Sequence, residues 1–224
     1  MGYNTDFTGQ VTIVPPLNPY EVEYLDRFAE TRHSHRERGP YAVWVGEVTV
    51  DDSYEPDRPP PELPGYHCKW VPTAAGEALT WNGEEKFYYA DRWLAFLIGA
   101  FLKPGAVVRG ELDDPVPGRF YPAVFEHFTF DHVLNGTVSA EGEEPDDLWR
   151  IEVRDNVVHV VRWVTRPNHS DIDPAEPGSW APERWEEFEA RSLYDHVFVI
   201  DASGERDVGT AAENGFEPVE APRY

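Results

Sequence analysis

Residues 79–104 read LTWNGEEKFYYADRWLAFLIGAFLKP, which is the pattern of a short strand, a turn and one strongly apolar helix. Asn82-Gly83 marks the turn, because both residue types tolerate a positive φ. The helix is expected to open near Asp91 and to end at Pro104-Gly105. Its apolar side chains cover well over 100° of its circumference, so it must be enclosed on most sides and form the centre of the core. Between its polar ends it is shorter than the roughly 20 apolar residues that a membrane span needs.

The rest of the chain consists of short strand patterns with few helices between them. Asn18-Pro19 predicts a helix start, and Glu21 completes a capping box. Asn135-Gly136 lies inside a strand pattern and leaves open either a hairpin turn or a strand that continues past a bulge. The predicted strands are 11–14, 41–50, 67–71, 79–81, 125–140, 148–153, 157–164 and 197–200, and the predicted helices are 19–32, 91–102 and 182–192.

This order of elements predicts an α+β fold, with a mostly antiparallel sheet, two main helices packed on one face and long Pro-rich loops. The predicted loops are 51–65, 105–122 and 166–181. A length of 224 residues suits one large domain or two small ones. We expect one α+β domain over residues 1–202. Residues 203–224 lack apolar periodicity and are expected to form a poorly ordered tail.

The N-terminus and the cysteine count indicate a compartment. The first residues have neither the basic nor the apolar segment of a signal peptide, which predicts a cytoplasmic protein with no membrane attachment. Cys68 is the single cysteine, so an intrachain disulfide is excluded.

Acidic residues dominate the charge. The chain has 42 Asp and Glu against 19 Lys and Arg, a formal net charge of -23. Such a field repels nucleic acid and anionic membranes, and it suits a basic partner, a cation or nothing specific. The basic residues are mostly Arg, which together with many acids fits a GC-rich genome or a salt-adapted host, so the charge need not be functional.

The sequence shows no recognised catalytic motif. A Gly-x-Ser-x-Gly elbow, a phosphate-binding loop and a dinucleotide fingerprint are all absent. Three pairs are weak candidates for a site. His33 and His35 share a side only if their segment is extended, and no third ligand is visible. The other two pairs, His67 with Cys68 and His127 with His132, are expected to point to opposite faces of a strand. Cys68 is expected to be a buried free thiol. We therefore assign no catalytic residue, no metal site and no cofactor.

One polar cluster stands out between two strand patterns. Glu141, Glu143, Glu144, Asp146 and Asp147 put five carboxylates into seven residues, just before Trp149. Ca²⁺ and Mg²⁺ favour oxygen ligands of this kind, but the spacing is not that of an EF-hand. The cluster is therefore open to three interpretations: a solvated hairpin loop, a cation site, or a surface for a basic protein.

Three blocks of sequence resemble a family of uncharacterised bacterial and bacteriophage proteins. They are YNTDFTG at 3–9, WNGEEKFY at 81–88, and the stretch 134–149 with its AEGEEPDDLW segment. The resemblance implies a shared fold and a bacterial or phage host, and it implies no activity. It also favours one common surface for Lys86 and the acidic cluster; an ion pair with an acid is the default expectation for Lys86.

Two main hypotheses follow. The first is a non-enzymatic interaction protein, of the DNA-mimicking inhibitor or immunity type, that binds a basic partner. The second is a small-molecule or divalent-cation binding protein or enzyme, with a site between the 81–86 turn and the 141–149 loop. A virion or structural component remains a third possibility. The predicted ligand or partner surface comprises Asp6, Trp81, Lys86, Glu141, Glu143, Glu144, Asp146, Asp147 and Trp149.

Overall fold

The computed structural model describes residues 2–43, 54–55, 57–144, 147–163 and 195–219. The strands are β1 (Thr5–Val14), β2 (His35–Arg36), β3 (Tyr54–Glu55), β4 (Trp70–Pro72), β5 (Ala78–Trp81), β6 (Val133–Gly142), β7 (Leu148–Arg154), β8 (Val157–Trp163), β9 (Asp195–Asp201) and β10 (Gly204–Thr210). The α-helices are α1 (Pro19–Glu30), α2 (Ala90–Leu97) and α3 (Val107–Asp113), with a π-helical turn at Ile98–Leu102 and a 3-10 turn at Ala123–His127.

Eight of these strands form one sheet in the order β10-β9-β8-β7-β6-β1-β5-β4. Every pairing in it is antiparallel. Helix α1 packs against β4, and α2 packs against β4, β8 and β9. The predicted α+β class, with two main helices on an antiparallel sheet, is therefore confirmed.

The apolar helix is the centre of the core, as the sequence predicts. Trp93, Leu94, Leu97 and Phe101 are all 1% exposed or less. The helix changes to π-helical geometry over Ile98–Leu102, and Ile98, Ala100 and Leu102 of that turn are buried as well. Such enclosure removes from water an apolar surface that would otherwise oppose folding.

Helical structure continues past Pro104, where the sequence predicts a loop. Helix α3 occupies part of that loop, so the 105–122 prediction is wrong there. Within the described residues, the helical run Ala90–Asp113 is 24 residues long and passes a length and composition test for a membrane span. Half of its apolar window is buried inside the fold, and the core helix of a globular domain passes the same test. The length of this helical run therefore does not exclude a membrane span, although the sequence predicts an apolar helix that is too short for one.

Strands β1 and β6 pair along ten residues each, and two glycines permit their close approach. A Cβ on Gly9 would lie 2.4 Å from the Thr137 carbonyl oxygen, and one on Gly136 would lie 2.5 Å from the Gln10 carbonyl oxygen. Asn135-Gly136 is therefore a point of backbone contact within a continuous strand. The strand begins only at Val133; the preceding residues, which we predicted to extend it, contain the 3-10 turn.

Two predicted hairpins are present. Strands β4 and β5 pair, and β7 and β8 are joined through Asp155 and Asn156, whose φ values are 48° and 71°. Both values are positive, as a two-residue hairpin turn of this kind requires.

The described part of the C-terminal segment contains regular structure, where the sequence predicts none. Strand β10 pairs with β9, and Ala211 and Phe216 pack against Val161 and Val197 in a second, smaller core. The apolar residues of the C-terminal segment are too widely spaced to show the period of a helix or a strand in the sequence. The end of the predicted tail, most of the 41–50 strand, the 166–181 loop and the 182–192 helix lie outside the described residues.

Candidate functional site

The pairing of β1 with β6 builds one corner of the sheet from residues that are far apart in sequence. Asp6 lies opposite Glu141, and Phe7 lies opposite Ala140. Because side chains alternate along a strand, the two carboxylates share the outer face while Phe7 and Ala140 point into the core. Asp6 and Glu141 are both exposed. We call Asp6, Glu141, Glu143, Glu144 and Asp147 the acidic corner.

The N-terminal segment is bonded to the acidic corner. Tyr3 Oη donates to Asp147 Oδ2 at 2.7 Å, and it accepts from the Glu144 amide at 3.3 Å. The Asn4 amide donates to Glu143 Oε1 at 3.0 Å. Burial and the bond to Asp147 raise the pKa of Tyr3, so the phenol keeps its proton and remains a donor. These bonds fix the positions of Glu143, Glu144 and Asp147.

Lys86 approaches the same N-terminal segment from the other side. Its amide donates to Asn4 Oδ1 at 3.1 Å, and its side chain lies over Gly2. Its φ of 62° places it in the left-handed region, which is uncommon for a residue with a side chain. Among the described residues its ammonium makes no ion pair, so the predicted default for Lys86 is not found.

An aromatic cluster lies beneath the acidic corner. The ring of Phe7 packs edge-to-face with Trp81, Phe87 and Trp149, each with centroids 5.7 Å apart. Such edge-to-face pairs are favourable beyond the area they bury. Trp81 and Trp149, which were predicted on one surface, are thus joined through Phe7.

An open cleft of about 350 Å³ borders the acidic corner. It is lined by Tyr3, Glu144, Asp147, Leu148, Trp149, Arg162 and Trp163. Arg162 lies there because it is the cross-strand partner of Trp149, and its guanidinium already pairs with Glu205. The cleft therefore combines indole walls with carboxylates.

The structure brings together most of the predicted surface. Glu144, Asp147 and Trp149 line the cleft, whereas Trp81 and Lys86 lie outside its lining. Asp146 is outside the described residues. Sequence reasoning missed Tyr3 as a site residue, although it opens the YNTDF block. It also missed Arg162 and Trp163, which no local pattern connects to Trp149.

The other candidate groups do not form a site in the part of the chain that is described. No three His, Cys, Asp or Glu side chains there are arranged to hold a metal ion. His33 is buried and bonds to the Phe28 carbonyl oxygen, and burial lowers its pKa to about 3. Cys68 is buried, as predicted. His132 pairs with Glu21, a contact that sequence reasoning missed because it treated Glu21 only as a capping residue.

Comparison of the chain with models of protein families, with curated proteins and with solved structures gives no match. The resemblance to uncharacterised bacterial and bacteriophage proteins therefore stays a prediction, and function must be inferred from geometry.

Proposed function

We propose that this chain is a non-enzymatic interaction protein that binds a basic segment of a protein partner at the acidic corner. The observation that carries the proposal is the β1–β6 register. It sets Asp6 beside Glu141, in the acidic corner that borders the cleft. A concentration of one charge sign at a defined place favours fast, orientation-specific association with the opposite sign.

The cleft supplies the second part of the argument. An Arg or Lys side chain entering it would meet the indole of Trp149 and the carboxylates of Glu144 and Asp147. Cations are attracted to the faces of indole rings, by roughly 0.5–2 kcal/mol depending on solvent access. Because the Arg162 guanidinium in the lining is already paired with Glu205, the carboxylates of Glu144 and Asp147 favour a guanidinium or ammonium group over an anion in this cleft.

Rigidity supports the same function. The bonds from Tyr3 to Asp147 and from Asn4 to Glu143 hold the carboxylates in place before any partner arrives. A preformed surface loses less conformational entropy on binding than a mobile loop.

The cleft itself favours a second candidate, a small cationic ligand. Its volume of about 350 Å³ is that of a small-molecule site. An amine panel and a Ca²⁺ and Mg²⁺ panel, read by thermal shift, separate this function from the first. Stabilisation by a small amine in the absence of peptide favours the small-ligand function.

The test uses a short Arg-rich peptide and titration calorimetry at low and high salt. A double variant, Glu141→Gln with Glu144→Gln, removes two charges whose side chains form no described hydrogen bond. We expect roughly tenfold weaker binding, since each exposed ion pair contributes up to about 1 kcal/mol.

A matched control is needed because any basic peptide is attracted to a chain with a net charge of -23. Glu126→Gln with Asp155→Asn removes the same charge from exposed residues. Asp155 lies beside Asn135, six residues or about 20 Å along β6 from Glu141, and Glu126 lies in the 3-10 turn that contacts Asn18, after the end of β1. Equal weakening by both double variants would show that the attraction is diffuse and would refute the proposed site.

A further inference from the structure

A buried acid and a buried histidine join the start of α1 to the residues before β6. His132 Nε2 lies 3.1 Å from Glu21 Oε1, and the two side chains are 1% and 0% exposed. Glu21 Oε1 also accepts from the Thr129 amide at 2.8 Å, and Glu21 Oε2 accepts from the Asn18 amide at 2.8 Å. The carboxylate is thus surrounded by donors, which favours its charged form.

The bonds of the imidazole identify its protonation state. His132 Nδ1 lies 2.7 Å from the Pro15 carbonyl oxygen, which can only accept, so Nδ1 carries a hydrogen. The other nitrogen faces Glu21 Oε1 and the Thr129 hydroxyl, each at 3.1 Å. The Thr129 hydroxyl has one hydrogen to donate. Glu21 Oε1 lies 3.1 Å from the hydroxyl oxygen and can accept that hydrogen. Because Glu21 is ionised among these donors, every bond is satisfied only when Nε2 is protonated too; a neutral ring would set a lone pair against the carboxylate.

We infer that Glu21 and His132 form a proton-dependent lock, which holds the start of α1 against residues 129–132 while His132 is an imidazolium and releases it when that proton is lost. This inference is independent of the proposed function. Loss of the proton leaves a buried carboxylate without its counter-charge, which is costly in a low-dielectric interior.

The contacts around the lock define what it releases. The Asn18 side chain donates to the His127 carbonyl oxygen at 2.9 Å, and Tyr20 stacks on the His127 ring at 4.1 Å. These two contacts join α1 to the 3-10 turn, and both require the start of α1 to stay in place. The His132 backbone is held separately, through its amide to the Leu102 carbonyl oxygen at 3.0 Å.

Other charged groups lie on the elements that pack against this pair. They are Glu23 on α1, Lys103 after the π-helical turn, His127 in the 3-10 turn, Asp131 beside His132, and Asp155 in the β7–β8 turn. Of the described acids, Glu21 alone forms an ion pair with the ring. Asp131 adds a weaker attraction that also favours the charged ring.

The direction of the pH effect follows from these contacts. Burial opposes a charge on the ring, but the bonds to Glu21 and Pro15 outweigh burial and raise the pKa of His132 above its ordinary 6.5. The native protein then holds a proton that the unfolded chain releases above pH 6.5. The stability that the pair contributes is therefore fully present between pH 4.5 and pH 6.5, where the bonds that outweigh burial and lower the pKa of Glu21 also keep it charged, and it is lost as the pH rises through the raised pKa of His132.

The other described histidines with a shifted pKa, and the buried thiol, act outside the pH range in which His132 loses its proton. Burial lowers the pKa of His33 to about 3, so its effect on stability falls below pH 6.5. Burial also lowers the pKa values of His67 and His159 from 6.5, with the same consequence. The buried Cys68 thiol has a raised pKa and acts only above its ordinary value of 9.0. Of these groups, His132 alone therefore changes charge between pH 6.5 and about 8.5.

The experiment follows the ring carbon resonances of the eight histidines by NMR, together with the melting temperature, across that interval. In the wild-type chain we expect His132 to titrate above pH 6.5. As His132 loses its proton, we expect the melting temperature to fall by roughly 4 °C. We expect the protection of the Thr129 amide against hydrogen exchange to fall roughly tenfold over the same interval. In Glu21→Gln the pKa of His132 should drop below 6.5 and this decline should vanish. His196→Gln is the control, because His196 is a partly exposed residue paired with Asp207 at 2.8 Å.

Two results would overturn the lock. One is a wild-type His132 ring that is already neutral at pH 6.5. The other is a folded Glu21→Gln protein with the same decline in melting temperature as the wild type. If Glu21→Gln does not fold, the wild-type titration decides alone.

Discussion

Cys68 illustrates how burial determines the chemistry of a single residue. Its side chain is fully enclosed, and its Sγ lies 4.0 Å from the Trp70 carbonyl oxygen. Burial raises the pKa of the thiol to about 12, since a thiolate would be unsolvated there. The reactive form is therefore almost absent near neutral pH, which suits a packing role.

We expect Cys68 to resist a disulfide reagent in the native protein and to react with one equivalent after unfolding. The native rate at pH 8 should be roughly 100-fold or more below that of the unfolded chain, because both access and ionisation are suppressed. A timed thiol assay with and without denaturant measures it. Rapid labelling of the native chain would show that the β4 region opens readily.

Local patterns predict single residues well only when their partners are local. Asn18 and Glu21 form the predicted capping box, with Asn18 Oδ1 accepting from the Glu21 amide at 3.2 Å. The burial of Glu21 could not be predicted, because it depends on Thr129 and His132, which fold next to it from a distant part of the chain. A capping acid normally faces water.

At the scale of elements, the apolar helix and its π-helical turn hold the core together. The ring of Phe101 packs against Tyr24 and Phe28 of α1 at 5.4 and 5.5 Å, so the two main helices share one aromatic interface. Removing volume at this centre leaves a cavity that rigid neighbours fill only in part.

Leu97→Ala should lower the free energy of unfolding by about 2–5 kcal/mol, because Leu97 is 1% exposed and its removal leaves a cavity. Urea titration followed by tryptophan fluorescence measures the change. Val107→Ala on α3 is the control: Val107 is 53% exposed, and we expect a change of about 0.5 kcal/mol or less. Equal effects at both positions would contradict the assignment of Leu97 to the core.

The elements that the sequence predicts are those with a local cause. The Asp155-Asn156 hairpin and the capped start of α1 follow from residues next to one another. Gly136 shows the limit, because its role is to admit the Gln10 backbone, which no nearby residue reveals. Strand β10 was missed for a similar reason: its stability comes from pairing with β9 rather than from its own apolar content. The acidic corner was found through its sequence cluster, while the cleft depends on cross-strand neighbours.

At the scale of the whole molecule, repulsion among carboxylates opposes folding. The chain carries a net charge of -23 once every Lys and Arg has been counted, so its internal ion pairs cannot remove this excess of carboxylates. Repulsion between exposed charges is long-ranged at low ionic strength and is screened at high ionic strength. The compact state therefore gains most when salt is added.

We expect the melting temperature at neutral pH to rise by roughly 5 °C between about 0.01 M and 0.5 M sodium chloride, as the Debye length shortens from about 30 Å to a few Å. Differential scanning calorimetry measures it. Near the isoelectric point, where the net charge vanishes, the same addition should have little effect. A similar rise at both pH values would indicate a general salt effect on burial rather than charge screening.

The pairing of β1 with β6 also sets a condition on biosynthesis. Residues 5–14 form the middle of the sheet, yet their partner spans 133–142. During translation at about 5–20 residues per second, the first strand emerges and then waits on the order of ten seconds for the segment that completes it. Until β6 leaves the ribosome, β1 can pair only with β5, so Phe7, Val11 and Ile13 lie on a strand that still lacks its ten-residue partner.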